Sequence, residues 1–213
     1  MVARSDTVLY TEGHRKWYIV ALVLATVTFL VAAVEVHRHG IAGWEQQLIL
    51  NFNHRSDRWR TLAVGVSTIG GSAWTALISV AFSYLSKLYR LCWRLAASFF
   101  AAVVLVYLMK HLVNQPEVFH RIVGLHFRVA TSSLAFPSGV ITIATVIALS
   151  LLPYLSIIWR LSLPLGIILI GISRLYLGVQ TPLDLIGGAA LGIFLVSLIR
   201  VMPQSVRVVL RLD

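Results

Sequence analysis

Long runs of hydrophobic residues, separated by short polar stretches, occupy most of the chain between residues 17 and 201. A helix that crosses a bilayer needs about 20 mostly apolar residues. Six segments approach that length, namely Trp17–Val36, Thr61–Leu85, Leu95–Val113, Ser138–Tyr154, Leu161–Leu177 and Leu185–Val201. The pattern therefore predicts an all-α, multi-pass membrane protein with six transmembrane helices.

A seventh, amphipathic segment lies between the first two spans. Trp44, Leu48 and Phe52 recur every four residues, and polar residues fill most of the other positions. This spacing places the three side chains on one face of a helix and predicts an extra helix at the membrane interface. A connecting helix packed against its own bundle fits the same pattern. Because no repeat, low-complexity tract or linker divides the chain, we expect a single domain over residues 1–213.

The composition agrees with a chain that is solvated mainly by lipid. Hydrophobic residues make up 58% of the 213 residues and charged residues only 12%, against about 45–50% and about 25% in soluble proteins. This excludes a soluble enzyme, and a single cysteine, Cys92, excludes a disulfide scaffold. The net charge of +10 comes from short basic groups beside the apolar runs, as in segments that meet anionic lipids. We expect no nucleic-acid partner.

The basic residues also indicate an orientation. An even number of spans places both termini on one side of the membrane. The termini and the loops at 86–94 and 155–160 carry ten of the eighteen Lys and Arg residues, an excess that assigns this side to the cytoplasm. We expect an integral protein of the plasma membrane, the inner membrane if the source is bacterial, with both termini cytoplasmic.

Three polar spots stand at the ends of the predicted spans. Lys110 lies near the end of the third span, Ser138 and Gly139 begin the fourth, and Arg174 and Asp184 bracket the turn between the fifth and sixth. Ionisable groups in or beside lipid are costly, which makes them candidates for function. With six alternating spans, all three spots fall on the outer face of the membrane.

The residue types at these spots suit phosphate. A Pro-Ser-Gly sequence at a helix start leaves backbone N–H groups free, and the helix dipole favours an anion there. Lys110 supplies a point charge, and Arg174 supplies a planar fork that fits phosphate oxygens. Each residue alone has a plainer interpretation: Ser138 as a helix cap, Lys110 as a headgroup contact, and Arg174 as a partner of Asp184. Together they predict a phosphate pocket.

The spans and motifs resemble the type 2 phosphatidic acid phosphatases, the PAP2 or lipid phosphate phosphatase family. Its members have six spans and three motifs in this order: Lys-x6-Arg-Pro, Pro-Ser-Gly-His and Ser-Arg-x5-His-x3-Asp. The corresponding segments here are Lys110–Val118, Pro137–Val140 and Ser173–Asp184. The resemblance covers nearly the whole chain. It implies a PAP2-like bundle in which Lys110, Ser138, Gly139, Ser173 and Arg174 bind phosphate, with Asp184 behind them.

Three positions depart from the family pattern. In the family, the third-motif histidine attacks phosphorus, the second-motif histidine protonates the leaving alcohol, and the first-motif arginine helps to hold the phosphate. Gln180, Val140 and Glu117 stand at these positions. A carboxamide is not a comparable nucleophile, valine donates no proton, and a carboxylate repels phosphate. The resemblance therefore implies a degenerate member with no catalytic residue of the family mechanism.

Histidines near the loop between spans three and four are the candidate replacements. His111, His120 and His126 lie on the same side as the phosphate motifs, and one of them acting as a base for water would give an active phosphatase with a different residue set. Exposed, interfacial histidines are the plainer interpretation. Since no pair shows the helical spacing typical of metal ligands, we expect no metal and no cofactor.

Three functions remain open at this point. The first is a pseudophosphatase that binds a phospholipid or polyprenyl phosphate headgroup without cleaving it, alone or as a subunit of a membrane complex. The second is an active lipid phosphate phosphatase that uses other residues. The third is a purely structural subunit with a membrane-protein partner. We favour the first, because the matched positions include most of those that hold phosphate in the family, whereas both histidines that react with it are replaced.

Overall fold

The described part of the computed structural model of the protein contains eight α-helices. The residues it describes are 3–71, 73–85, 87, 89–116, 118, 122–129 and 134–202. The helices are α1 (Ala3–His39), α2 (Gly43–Asn53), α3 (Arg60–Gly71), α4 (Ala73–Leu85), α5 (Tyr89–Val113), α6 (Gly139–Leu151), α7 (Ile157–Tyr176) and α8 (Pro182–Val201). Short 3-10 turns precede α3 and extend α6 to residue 154. These ranges contain no β-strand, and the all-α prediction is confirmed.

Four of the helices are long and apolar enough to cross a membrane. The crossing segments are Arg15–His39, Leu91–Val113, Ile157–Tyr176 and Pro182–Val201. The predicted second span is broken, because α3 and α4 meet at an angle of 50° and count together as a fifth crossing at most. The predicted fourth span, Gly139–Tyr154, is apolar but shorter than a full crossing. The described residues therefore do not confirm the count of six.

The break between α3 and α4 has a simple origin in the sequence. Gly70 and Gly71 end α3, and glycine is among the least favourable residues in a helix. Gly70 also lies against α7, where a Cβ atom would overlap the Ile170 side chain. The mean hydropathy of the predicted second span does not reveal the break between α3 and α4, because glycine is not strongly polar.

Helix α8 is the most buried of the four crossing helices. It packs along α1 and against α6. Phe29, Ala32 and Val36 of α1 share a buried cluster with Ala190 and Leu191 of α8. Many of the large apolar side chains on α1, α5 and α7 are exposed, which is the expected state for a surface that faces lipid.

The contact between α6 and α8 is a backbone contact. A Cβ atom on Gly188 would lie 2.5 Å from the carbonyl oxygen of Ser138, and one on Gly192 would lie 2.7 Å from Cβ of Thr145. The Thr142 hydroxyl donates to the carbonyl oxygen of Gly188 at 2.9 Å. Because Gly188 and Gly192 have no side chains, the first two turns of α6 lie directly against the α8 backbone.

The helix expected between the first two spans is present as α2. Trp44 and Leu48 are exposed, whereas Glu45, Ile49 and Asn53 are fully buried and belong to the face that packs towards α7 and α8. The buried face therefore carries a carboxylate and an amide, which the apolar spacing of the sequence did not predict. Both polar groups have partners near the ends of α7 and α8, described below.

We predict that Gly192→Ala destabilises the protein by about 1–3 kcal/mol, because a methyl group has to displace Thr145 and the α6 backbone. Thermal unfolding of the purified protein in detergent measures this. Gly166→Ala in α7 is the matched control, since a Cβ atom there meets nothing within 4 Å. We expect Gly166→Ala to be neutral or stabilising. Equal melting temperatures for the two variants would contradict the close α6–α8 contact.

Candidate phosphate-binding site

Ser138, Arg174 and Gln180 meet at one point in the fold. Ser138 precedes α6, Arg174 lies in the last turn of α7, and Gln180 lies in the turn before α8. Oε1 of Gln180 accepts hydrogen bonds from Oγ of Ser138 at 2.6 Å and from Nε of Arg174 at 3.1 Å. Two motifs that are separate in the sequence are therefore joined through a buried carboxamide.

The N-terminus of α6 keeps backbone donors available. Ser138 is the N-cap residue, and its Oγ accepts from the N–H of Ile141 at 3.3 Å, as serine commonly does at this position. The N–H groups of Gly139 and Val140 have no acceptor in the described part of the chain. Free N–H groups and the helix dipole make such an end suitable for an anion.

The guanidinium group of Arg174 is held by two neighbours. Besides Gln180, it bonds through Nη1 to Oγ of Ser67 on α3 at 3.1 Å. A guanidinium has five N–H donors, and the other three have no partner among the described residues. The sequence did not single out Ser67, because a serine inside an apolar segment gives no signal of its own.

The N-terminus of α8, in contrast, is closed by two carboxylates. Asp184 and Glu45 are both fully buried. Oδ2 of Asp184 accepts from the N–H of Thr181 at 2.7 Å, and the Asp184 N–H donates to Oγ1 of Thr181 at 3.2 Å, which forms a capping box. Oε1 of Glu45 accepts from the N–H of Leu183 at 3.0 Å. These groups leave little room for an exogenous anion at α8.

The sequence allowed an ion pair between Arg174 and Asp184. The described structure does not contain this pair. Oδ2 of Asp184 is bound to Thr181, and its Oδ1 has no hydrogen-bond partner in the described structure. Asp184 also joins the two helices, since its carbonyl oxygen accepts from the N–H of Ser138 at 3.0 Å. Arg174 is left with the amide of Gln180 and the hydroxyl of Ser67.

Lys110 connects the end of α5 to the segment that leads into α6. Its Nζ donates to the carbonyl oxygen of Leu134, and the next residue, Ala135, donates its N–H to the carbonyl oxygen of Gln115 at 3.0 Å. Ser173 is buried and uses its hydroxyl within α7, where it donates to the carbonyl oxygen of Ile170 at 2.6 Å.

The remaining predicted residues lie elsewhere or are not described. Glu117 and His120 fall outside the described residues. Nδ1 of His111 donates to the carbonyl oxygen of Tyr107 at 2.8 Å, and the ring of His126 lies 5.3 Å from that of His54. The described contacts of these two exposed histidines do not include Ser138, Arg174 or Gln180. Within the described part of the chain, no group of three or more His, Cys, Asp or Glu side chains has an arrangement that could hold a metal ion.

Two buried residues that the sequence did not single out fix the turn that carries the site. Nδ2 of Asn53 donates to the carbonyl oxygens of His126 and Tyr176, at 2.8 and 2.9 Å. The buried guanidinium of Arg128 lies over the Tyr176 ring and donates to the carbonyl oxygens of Asn53, Arg55 and Tyr176 and to Asp57. We call Asn53 and Arg128 the polar clamp. The clamp anchors the end of α7, and with it Arg174 and the turn that carries Gln180.

The model of the family described as the PAP2 superfamily matches residues 91–207. The chain belongs to the PAP2 superfamily. This match includes all three motif segments, and it confirms the resemblance to type 2 phosphatidic acid phosphatases. A comparison with curated proteins gives no match.

Two solved structures have a similar fold. The transmembrane PAP2-type phosphatidylglycerolphosphate phosphatase of Bacillus subtilis is 25% identical, with a TM-score of 0.71 over 83% of this chain and 92% of its own. LpxE of Aquifex aeolicus is also 25% identical, with a TM-score of 0.67 over 74% of this chain and 96% of its own. Together with the apolar helices, these similarities identify an integral membrane protein with the fold of a PAP2 lipid phosphatase.

The polar clamp generates a prediction about stability. Arg128→Met keeps an apolar stem but leaves the carbonyl oxygen of Asn53 without its side-chain donor, and it removes one of the two side-chain donors to the carbonyl oxygen of Tyr176. We expect a loss of about 2 kcal/mol or more, because buried acceptors that lose their partners are costly. Thermal unfolding in detergent measures it, with Arg58→Met as the control. Arg58 is exposed and contacts only the Trp59 ring among the described residues, so we expect a change within about 0.5 kcal/mol. A similar loss of stability in both variants would contradict a stabilising role for the polar clamp.

Proposed function

We propose that this PAP2 protein is a pseudophosphatase that binds the phosphate of a lipid headgroup without cleaving it by the family mechanism. The observation that carries the proposal is the position of Gln180. Its amide oxygen occupies the place of the expected nucleophile and accepts hydrogen bonds from both Ser138 and Arg174. An amide in this state offers no nucleophilic nitrogen to phosphorus, and Val140 offers no proton.

The same arrangement leaves donors for an anion. Arg174 can only donate, so the amide oxygen of Gln180 has to face it, and the NH2 group is left for another acceptor. Three guanidinium N–H groups of Arg174 and the backbone N–H groups of Gly139 and Val140 are the further donors. Phosphate oxygens accept hydrogen bonds from all of these groups, and the bonds to Arg174 are charge-assisted.

The ligand class follows from the environment of these donors. They lie at the ends of apolar helices, so the phosphate belongs to a lipid whose chains remain in the bilayer, such as a phospholipid or a polyprenyl phosphate. The C-terminal ends of α5 and α7 and the N-terminal ends of α6 and α8 share one side of the protein. With cytoplasmic termini this side is the outer face of the membrane. Residues 1–213 act as one domain, and a membrane-protein partner is compatible with this role.

We predict that the purified protein releases no phosphate from phosphatidate, phosphatidylglycerol phosphate or undecaprenyl pyrophosphate above the background of a Lys110→Ala/Arg174→Ala variant. Gln180→His/Val140→His restores both histidines of the motifs and is expected to release phosphate, since the general acid alone contributes about 10²–10⁴-fold. The measurement is inorganic phosphate released in detergent micelles. Release by the unmodified protein, lost in His111→Ala or His126→Ala, would replace this proposal with an active enzyme that uses a loop histidine.

We further predict that Arg174→Leu weakens phosphatidate binding about tenfold or more, because hydrogen bonds to charged groups are the stronger ones. Native mass spectrometry of lipid adducts measures the affinity. Arg160→Leu is the control, since Arg160 lies at the opposite end of α7 and bonds to the carbonyl oxygen of Leu155. Equal affinity in both variants would favour a structural subunit whose pocket has no ligand.

A further inference from the structure

Helices α3 and α7 lie side by side and run in opposite directions. Near the start of α3, Ala63 shares a buried cluster with Tyr176 at the end of α7. At the other end of α3, a Cβ atom on Gly70 would overlap the side chain of Ile170. Ser67 lies between these two contacts, one turn from each and on the same face of α3. The packing of the two helices therefore places Ser67 against the last turns of α7.

Ser67 contacts Arg174 at the corresponding level of α7. Arg174 lies one turn after Ile170, and its Nη1 donates to Oγ of Ser67 at 3.1 Å. Ser67 is 6% exposed, and its hydroxyl makes no other hydrogen bond within the described part of the chain. The position of this hydroxyl is thus fixed by the packing of α3 on α7, and its one described partner is the guanidinium.

The same part of α3 adjoins the N-terminus of α6. Val66 and Val140 both pack against a buried cluster that includes Ile170. Val140 carries one of the two backbone N–H groups at this terminus that have no acceptor among the described residues. The hydrogen bond between Ser67 and Arg174 therefore lies beside the helix end that offers donors to an anion.

Two hydrogen bonds at different nitrogen atoms fix the plane of the Arg174 guanidinium. Nε donates to Oε1 of Gln180 and Nη1 to Oγ of Ser67, both at 3.1 Å. Because the group is planar and rigid, these two contacts also set the direction of Nη2. Neither N–H of Nη2 has an acceptor in the described structure. A hydrogen bond weakens steeply when its angle departs far from linearity, so the direction of Nη2 affects how well it can bind a phosphate oxygen.

We propose that Ser67 is a positioning residue of the phosphate site, whose hydroxyl oxygen orients Arg174 so that Nη2 donates to a phosphate oxygen. This inference rests on the proposed function, because it concerns the same ligand. Ser67 acts through Arg174 and does not itself contact the phosphate. Without its hydroxyl, the guanidinium keeps the bond to Gln180 and its charge but loses its fixed orientation. Helix α3, which lies outside the motifs and outside the matched residues 91–207, thereby becomes part of the site.

The test is binding of phosphatidate, and of diacylglycerol with the same acyl chains, to the purified full-length protein in a neutral detergent. Native mass spectrometry measures both affinities. Ser67→Ala is expected to weaken phosphatidate binding about fivefold, because the strength of hydrogen bonds from a charged group depends on their geometry. Diacylglycerol binding is expected to stay unchanged, since this lipid has no phosphate.

Two further variants show whether the hydroxyl is responsible. Ser67→Thr keeps the acceptor and is expected to bind phosphatidate within about twofold of the unmodified protein. Ser83→Ala is the matched control. Ser83 is a buried serine of the same predicted span, but its hydroxyl donates to the carbonyl oxygen of Ser79 in its own helix at 2.7 Å. We expect Ser83→Ala to bind phosphatidate normally.

A double-mutant cycle separates positioning from a general effect on packing. In the Arg174→Leu background, Ser67→Ala is expected to change phosphatidate affinity less than about twofold, because Ser67 acts only through the guanidinium. If Ser67→Ala does not fold, Ser67→Cys replaces it in both backgrounds. Cysteine is similar in size, and its sulfur is a weaker acceptor.

The possible results separate this inference from the proposed function. If Arg174→Leu weakens phosphatidate binding and Ser67→Ala does not, the positioning role is wrong and the phosphate-binding function stands. The positioning role is also wrong if Ser67→Ala has equal effects in both backgrounds, if it weakens diacylglycerol binding as much, or if folded Ser67→Thr binds as weakly. If the unmodified protein binds phosphatidate no better than diacylglycerol, both the inference and the proposed function are wrong.

Discussion

The contact between the first turns of α6 and α8 determines the geometry of the whole polar region. Gly188 lets the Ser138 backbone approach α8 closely, and the Ser138 N–H donates to the carbonyl oxygen of Asp184. Through this contact the cap of α6 lies beside the turn that precedes α8. Gln180 in that turn then reaches Ser138 and Arg174 together. A side chain at position 188 would separate these groups, whatever their chemistry.

The N-termini of α6 and α8 lie close together but differ in how their backbone N–H groups are hydrogen-bonded. The α8 terminus is saturated by Thr181, Asp184 and Glu45, which accept or exchange hydrogen bonds with its N–H groups. The α6 terminus has only the serine cap, and the N–H groups of Gly139 and Val140 stay available. Among the described residues, the free backbone donors of the region therefore lie at α6 and not at α8.

Motif spacing predicted the residues that meet in the site but not those that support them. Ser138, Arg174 and Gln180 were recognised because a family pattern fixes their order in the chain. Ser67, Glu45, Asn53 and Arg128 carry no such pattern, and their roles depend on helices that are far apart in sequence. The helical class followed from apolar run length. The count of spans did not, because the glycines before residue 72 break a helix without lowering hydropathy, and residues 139–154 are apolar but short.

The hydrogen bonds of Gln180 also bear on how a ligand would leave the site. A phosphatase empties its pocket by turning a substrate into products that no longer fit. Under the proposed function, in which Gln180 is held by Ser138 and Arg174 and does not attack phosphorus, the ester bond of a bound lipid stays intact. Occupancy is then set by association and dissociation alone and rises and falls reversibly with the abundance of that lipid in the membrane, as in a receptor.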